Sequence, residues 1–222
     1  MDASSIKSQA HWVEVSGREH ARLATEEVGS GPVFVWGHSL LGSMAQDRAG
    51  GVLAWRELAD VARVIRFDAR GHGQSESFGA PEDFRWDELA RSMWQVADSY
   101  TDEGVVLGGA SMGCATALHA ACQRPEQVRA LVLVTPPTAW QWRENRRRGY
   151  RVTANVVKFT HGLPLRLLGL LRIKRSSNFQ KNMLSILAGH LARAKTEGVV
   201  GALRGASLSD FPPREELARL AM

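Results

Sequence analysis

Five residues, Gly109-Ala110-Ser111-Met112-Gly113, stand between the apolar run Val105-Val106-Leu107-Gly108 and the small-residue stretch Met112 to Gln123. The run reads as a buried strand and the stretch after it as a helix. Joining the two so abruptly requires a sharp strand-to-helix turn, and small residues two positions either side of Ser111 let the backbone pass close by. Such a turn projects the Ser111 hydroxyl from the carboxyl edge of a sheet. It also sets Ser111 at a helix N-terminus, where the Met112 N–H can point at an oxyanion. The plainer alternative is a serine that caps its helix within a glycine turn.

The same alternation runs through the first half of the chain. A strand pair is expected near Trp12 to Val15 and Arg22 to Val28, followed by a buried strand, Val33-Phe34-Val35-Trp36, that enters the loop Gly37 to Ser43. A helix around Gly51 to Val61, a strand at Arg63 to Phe67 and a turn at Asp68-Ala69-Arg70-Gly71-His72-Gly73 come next. Pro81, Glu82 and Asp83 suit the opening of a helix whose apolar face is Trp86, Leu89, Ala90, Met93, Trp94 and Ala97. Ala130 to Val134 is a further strand. Strands separated by helices predict an α/β fold, a mostly parallel sheet with helices on both faces.

Composition narrows the function classes. A chain of 222 residues, 44% hydrophobic and 23% charged, can bury a sizeable core and is not disordered overall. Cys114 and Cys122 cannot make a disulfide framework and fit a reducing compartment. The longest apolar stretch, His161 to Ile173, is interrupted by Pro164, Arg166 and Arg172 and is too short to span a bilayer. With no apolar signal near the N-terminus, a cytoplasmic protein without stable membrane insertion is expected. Residues 1–138 hold 12 Lys and Arg against 18 Asp and Glu, whereas residues 139–222 hold 16 against 5. That switch predicts two units, a core at 1–138 and a second unit at 139–222. No nucleic-acid module accompanies the basic charge, so a nucleic-acid partner is not expected, and neither metal-ligand spacing nor a cofactor motif is present.

Three segments in register carry a resemblance. Around Ser111 the chain is similar to the α/β-hydrolase superfamily; Asp68-Ala69-Arg70-Gly71-His72-Gly73-Gln74-Ser75 looks like that family's Asp-x-Arg-Gly-x-Gly-x-Ser turn. His38-Ser39-Leu40-Leu41-Gly42-Ser43 matches its first oxyanion loop, with Ser39 in place of the usual Gly. The resemblance covers about residues 10 to 138. It implies Ser111 as nucleophile, the backbone N–H groups of Leu40 and Met112 as oxyanion donors, and His38, Ser39 and Trp140 at the substrate pocket. The Ser-Leu element is also similar to the loop of 3-oxoadipate enol-lactonases, which points to a lactone or small ester. Both His38 and His72 occupy positions that are structural in the family, and His119 is expected to be a packing or surface residue.

The family's remaining triad members, an acid and then a His, follow the cap, and no residue here matches those positions. Val152 to Thr160, Leu163 to Leu171 and Asn182 to Ala194 read as helices of a cap with a return helix after Phe211-Pro212-Pro213. The leucine-rich part would roof an apolar pocket or, more plainly, pack on the core, with Trp140 and Trp142 at the mouth. The sequence is therefore expected to be an N-terminal portion of a longer hydrolase, with the last core strands and the acid and base beyond residue 222. A small-molecule ester, lactone or related carbonyl compound is the expected substrate, with no cofactor and an open oligomeric state. A non-catalytic ligand-binding homologue, and a C–C hydrolase or haloperoxidase of the same fold, stay open as alternatives. Epoxide hydrolases resemble Asp-nucleophile enzymes, and Ser111 argues against them.

Overall fold

The strands form because short β-branched and aromatic runs are bounded by turn residues, and they assemble into one sheet. The computed structural model describes residues 9–17, 19–137, 143–163 and 194–220. Strands β1 (Gln9–Val15), β2 (Ala21–Val28), β3 (Val33–Gly37), β4 (Arg63–Phe67), β5 (Val105–Ala110) and β6 (Val128–Val134) lie in the order β1-β2-β4-β3-β5-β6. The first pairings, β1 with β2 and β2 with β4, are antiparallel; β3 is parallel to both β4 and β5, and β5 to β6. The expected mostly parallel α/β sheet is present. All of β3 is buried, as a central strand covered on both faces must be.

Successive residues of the central strands point to opposite faces, so each strand feeds two cores. On one face Phe34, Trp36, Val64 and Ala110 pack with Val52, Leu53, Trp55 and Leu58. That layer carries helices α1 (Met44–Gly50) and α2 (Trp55–Ala59), and the buried Trp36 indole N–H donates to Asp47 Oδ2 of α1 at 2.8 Å. On the other face Val35, Ile65 and Leu107 meet Leu89, Met93, Ala115 and Ala117. There α3 (Trp86–Asp98) and α4 (Met112–Gln123) are tied by the Trp94 indole N–H, which donates to the Ala120 carbonyl at 2.8 Å.

Two expected boundaries move. The helix expected around Gly51 to Val61 is shorter, α2 at Trp55–Ala59, and it is preceded by α1, which Ser43 caps by accepting from the Gln46 N–H and which Gly51, at φ 60°, ends in the left-handed region. The helix expected from Pro81 is instead a 3₁₀ turn, Pro81–Phe84, separated from α3 by Arg85 in extended conformation (φ −66°, ψ 150°). Asp83 closes that turn by accepting from the Ala80 N–H at 2.8 Å.

After β6 the described residues form only helices and connections: α5 (Arg143–Phe159), α6 (Thr196–Leu208) and α7 (Arg214–Leu217). Glycines bring α6 close to the sheet's carboxyl edge. Gly198 lies against the backbone of Gly71, in the turn after β4, while Gly201 and Gly205 lie against Phe84. A polar fastening completes the junction. Ser209 Oγ accepts the buried Trp86 N–H at 3.0 Å and donates to the Gly205 carbonyl at 2.7 Å, so a residue 123 positions later caps α3. Arg143 stacks over the Trp86 ring, 4.5 Å from its centroid, and donates to the Ser209 carbonyl. The helices expected over Leu163 to Leu171 and Asn182 to Ala194, and the residues Trp140 and Trp142, fall mainly or wholly outside the described residues.

Candidate active site

Ser111 is the junction that the sequence requires between β5 and α4. Its backbone is at φ 50° and ψ −104°, a region that a non-glycine residue occupies only when its surroundings hold it there. What holds it is close backbone approach. A Cβ at Gly113 would lie 2.0 Å from the Gly37 carbonyl oxygen, and one at Gly109 would lie 2.3 Å from the Gly113 carbonyl carbon. Both glycines are thus needed for space. The start of α4 consequently rests on the end of β3, which sets Ser111 beside the loop His38 to Ser43. The Ser111 N–H donates to the Val134 carbonyl at 3.0 Å, tying the turn to β6.

The Ser111 side chain makes no capping hydrogen bond to α4, although it stands at the N-cap. The plainer reading of the sequence, a capping serine, therefore does not describe it. Cys114 reinforces the turn from one helical step on, its Sγ lying 2.9 Å from the Gly109 carbonyl and 3.1 Å from that of Val134. Burial pushes the Cys114 thiol up to about 11, which removes it as a nucleophile near neutral pH.

The loop after β3 is rigid for identifiable reasons. The Ser39 carbonyl accepts the Gly42 N–H at 2.8 Å, with Leu41 at φ 59° completing the turn. His38 is buried; its Nδ1 donates to the Ser39 carbonyl at 2.8 Å and its Nε2 accepts from the Ala69 N–H at 3.0 Å. His72 repeats the pattern. Its Nδ1 donates to the Arg70 carbonyl at 2.9 Å and its Nε2 accepts from the Leu41 N–H at 3.2 Å. Asp68 adds a third link, accepting from Met44 N–H at 2.7 Å and Gln74 N–H at 2.9 Å. The loops after β3 and β4 therefore brace each other. Each imidazole has both ring nitrogens committed to backbone, so neither is placed to take a proton from Ser111. His38, expected at the substrate pocket, is a brace behind the loop; Ser39 is partly exposed and Trp140 lies outside the described residues.

Leu40 and Met112 both join the apolar cluster between sheet and α4, and Leu40 also touches the cluster formed by Ala154, Val157, Val199 and Leu203 of α5 and α6. Among the described residues, neither the Leu40 nor the Met112 N–H donates to a protein acceptor. The site thus presents a hydroxyl and two amides without commitments, at the carboxyl edge of the sheet. His119 is a structural residue, as expected: its Nε2 donates to the Asp210 carbonyl at 2.7 Å. Sequence reasoning missed the Ser209 cap and the Leu41 turn, for which only Gly42 two residues after the unremarkable Leu40 gave any local sign.

A mostly parallel sheet in which a serine at φ 50° joins strand β5 to helix α4 defines the class, and comparison places the chain within it. Residues 32–158 match the family described as alpha/beta hydrolase fold, and the chain belongs to that family. Over 88 residues it is 40% identical to the lipase LipV of Mycobacterium tuberculosis, a stretch that covers 38% of this chain and 33% of that protein. The match thus spans about a third of the length of this curated relative. In structure it is similar to a thermophilic esterase from Thermogutta terrifontis, with a TM-score of 0.68 at 23% identity over 90% of this chain and 72% of that one. It is equally similar to an epoxide hydrolase from metagenomes of hot environments, with a TM-score of 0.68 at 20% identity over 95% of this chain and 74% of that one. Likeness at such identities shows the fold alone.

Proposed function

We propose that the chain carries the nucleophile and oxyanion site of a serine-dependent hydrolase of carboxylic esters or lactones. Ser111 Oγ attacks the substrate carbonyl carbon and its proton passes to a general base. The tetrahedral oxyanion then accepts hydrogen bonds from the Leu40 and Met112 N–H groups, which have no protein acceptor to give up among the described residues. Collapse breaks the bond to the alcohol oxygen, which takes up the proton held by the base, and leaves an acyl ester on Ser111; water gives a proton to the same base, attacks the acyl carbon and releases the acid as the proton returns to Ser111. The observation that carries this reading is the left-handed backbone of Ser111 with an uncommitted hydroxyl, a strained arrangement that gives no cap in return. In this reading helices α5 and α6 belong to a cap over the site, and Leu40 and Leu41 of the oxyanion loop pack against them.

The base is a residue other than His38 or His72, since both rings are engaged. That same engagement favours the second reading, a ligand-binding homologue without turnover. An ester rather than an epoxide is the substrate because position 111 is a serine, and the fold likeness is equal for the two. The test follows release of nitrophenolate from short-chain nitrophenyl esters, and consumption of styrene oxide, by the chain and its Ser111→Ala variant. Slow ester cleavage that is lost in Ser111→Ala, with the epoxide untouched, is the expected result. Equal ester cleavage by the two proteins, or turnover of the epoxide, overturns the reading.

A further inference from the structure

Helix α5 is apolar on two opposite faces, and among the described residues only one of them is covered. At 100° per residue, Tyr150, Ala154 and Val157 share the face that packs on Val199 and Leu203 of α6. Val152, Val156 and Phe159 recur at intervals of four and three residues on the opposite side, with 62%, 48% and 87% of their surface exposed. Beyond them the chain turns through the left-handed residues His161 (φ 48°) and Gly162 (φ 75°), and Leu163, 56% exposed, follows. A run of exposed Val, Val, Phe and Leu has no stabilising role in water, where each side chain orders solvent without a partner.

The charge around this stripe is one-sided. Of the cations of this helix, Arg143 and Arg147 are paired with Asp210 towards the core, which leaves Arg146, Arg148, Arg151 and Lys158 on the outside with one acid of the helix, Glu144. Exposed Arg148 and Arg151 both reach Glu144, at 3.4 and 3.5 Å, which leaves that trio with net positive charge. Arg146 and Lys158 are exposed as well. Two copies of such a face would repel each other, so a second copy of this chain is electrostatically the poorer occupant. We propose that the outer face of α5 docks on the surface of an anionic phospholipid bilayer, with Val152, Val156, Phe159 and Leu163 entering the boundary between headgroups and acyl chains and the flanking arginines and Lys158 meeting the headgroups. A helix with apolar residues along one line and cations beside it lies in that interface without crossing it. Among the described residues no helix is long and apolar enough to span a membrane.

The test is co-sedimentation of the 222-residue chain with vesicles of phosphatidylcholine alone and of phosphatidylcholine mixed with phosphatidylglycerol, at low and high salt. Partition is expected to be about tenfold or more in favour of the anionic vesicles and to weaken as salt screens the headgroups. Phe159→Asp and, separately, Val156→Asp should each lower it by about tenfold by placing a carboxylate where an apolar group inserts. Both side chains point to solvent, and circular dichroism of each variant is expected to match the parent. Equal partition into the two kinds of vesicle, or undiminished partition of a folded variant, overturns the proposal. So does a concentration-dependent dimer that does not sediment with vesicles and that Phe159→Asp dissociates, which would assign the face to a second copy.

Discussion

Two glycines in helices show how far a residue's meaning depends on its surroundings. At Gly113 an added methyl would meet the Gly37 carbonyl at 2.0 Å, whereas around Gly149 in α5 nothing lies within 4 Å of the corresponding position. The same change therefore carries opposite signs. Gly113→Ala is expected to destabilise by about 2–3 kcal/mol through overpacking, and Gly149→Ala to stabilise by roughly 0.5–1 kcal/mol by restricting the unfolded chain. Urea unfolding midpoints check both, and a shift of Gly113→Ala in the stabilising direction would remove the steric account of the turn. Cys114 offers a chemical check. Since burial raises its thiol to about 11, the thiolate is scarce at about pH 8, and iodoacetamide should modify native Cys114 far more slowly than the unfolded chain. Prompt native labelling would contradict the packing described for it. At this scale the demand for small residues around Ser111 was legible in the sequence, because it follows from a turn that any strand-to-helix junction of that length must make. The resemblance already made His38 and His72 structural, but it did not show the partners that fix them: each accepts from a backbone N–H about thirty positions away, which no local pattern announces.

Elements followed the sequence where one face decides them and departed where a distant partner does. The apolar spacing of Trp86 to Ala97 appears as α3, yet its start lies at Trp86, not Pro81, because Arg85 is extended and Ser209 supplies the cap from beyond α6. Ser209→Ala would leave the buried Trp86 N–H without its acceptor, at a cost of about 1–2 kcal/mol. It should also loosen α6, since Ser209 Oγ holds the Gly205 carbonyl. Hydrogen exchange over Thr196–Leu208 measures that loosening. Unchanged exchange and stability would mean that the Arg143 stack on Trp86 alone fastens these helices. The helix expected around Gly51 to Val61 is present only as α2, and α1 before it was not expected: its cap is Ser43, and Gly51, the expected start, is its terminator.

For the molecule as a whole, the alternation of strand and helix was enough to forecast a parallel sheet, but not the order of its strands. That order follows from β3 entering between β4 and β5, and it carries Gly37 to the position where α4 must rest. The loops that brace one another, the strained serine and the two free amides are then consequences of one topology. The change from an acidic first part to a basic remainder coincides with the change from sheet to helices among the described residues. The role proposed for Ser111, that of the attacking group, can be read out directly. With an activated nitrophenyl ester the leaving group needs no proton, so Ser111 can be acylated slowly with little help from a general base. Deacylation needs an activated water and is slower still, so the acyl group should remain in place. Mass spectrometry of the chain after exposure to nitrophenyl acetate is therefore expected to show a single acetyl group on the peptide containing Ser111, absent from Ser111→Ala, whereas acetylation elsewhere in both proteins, or none at Ser111, would contradict the account.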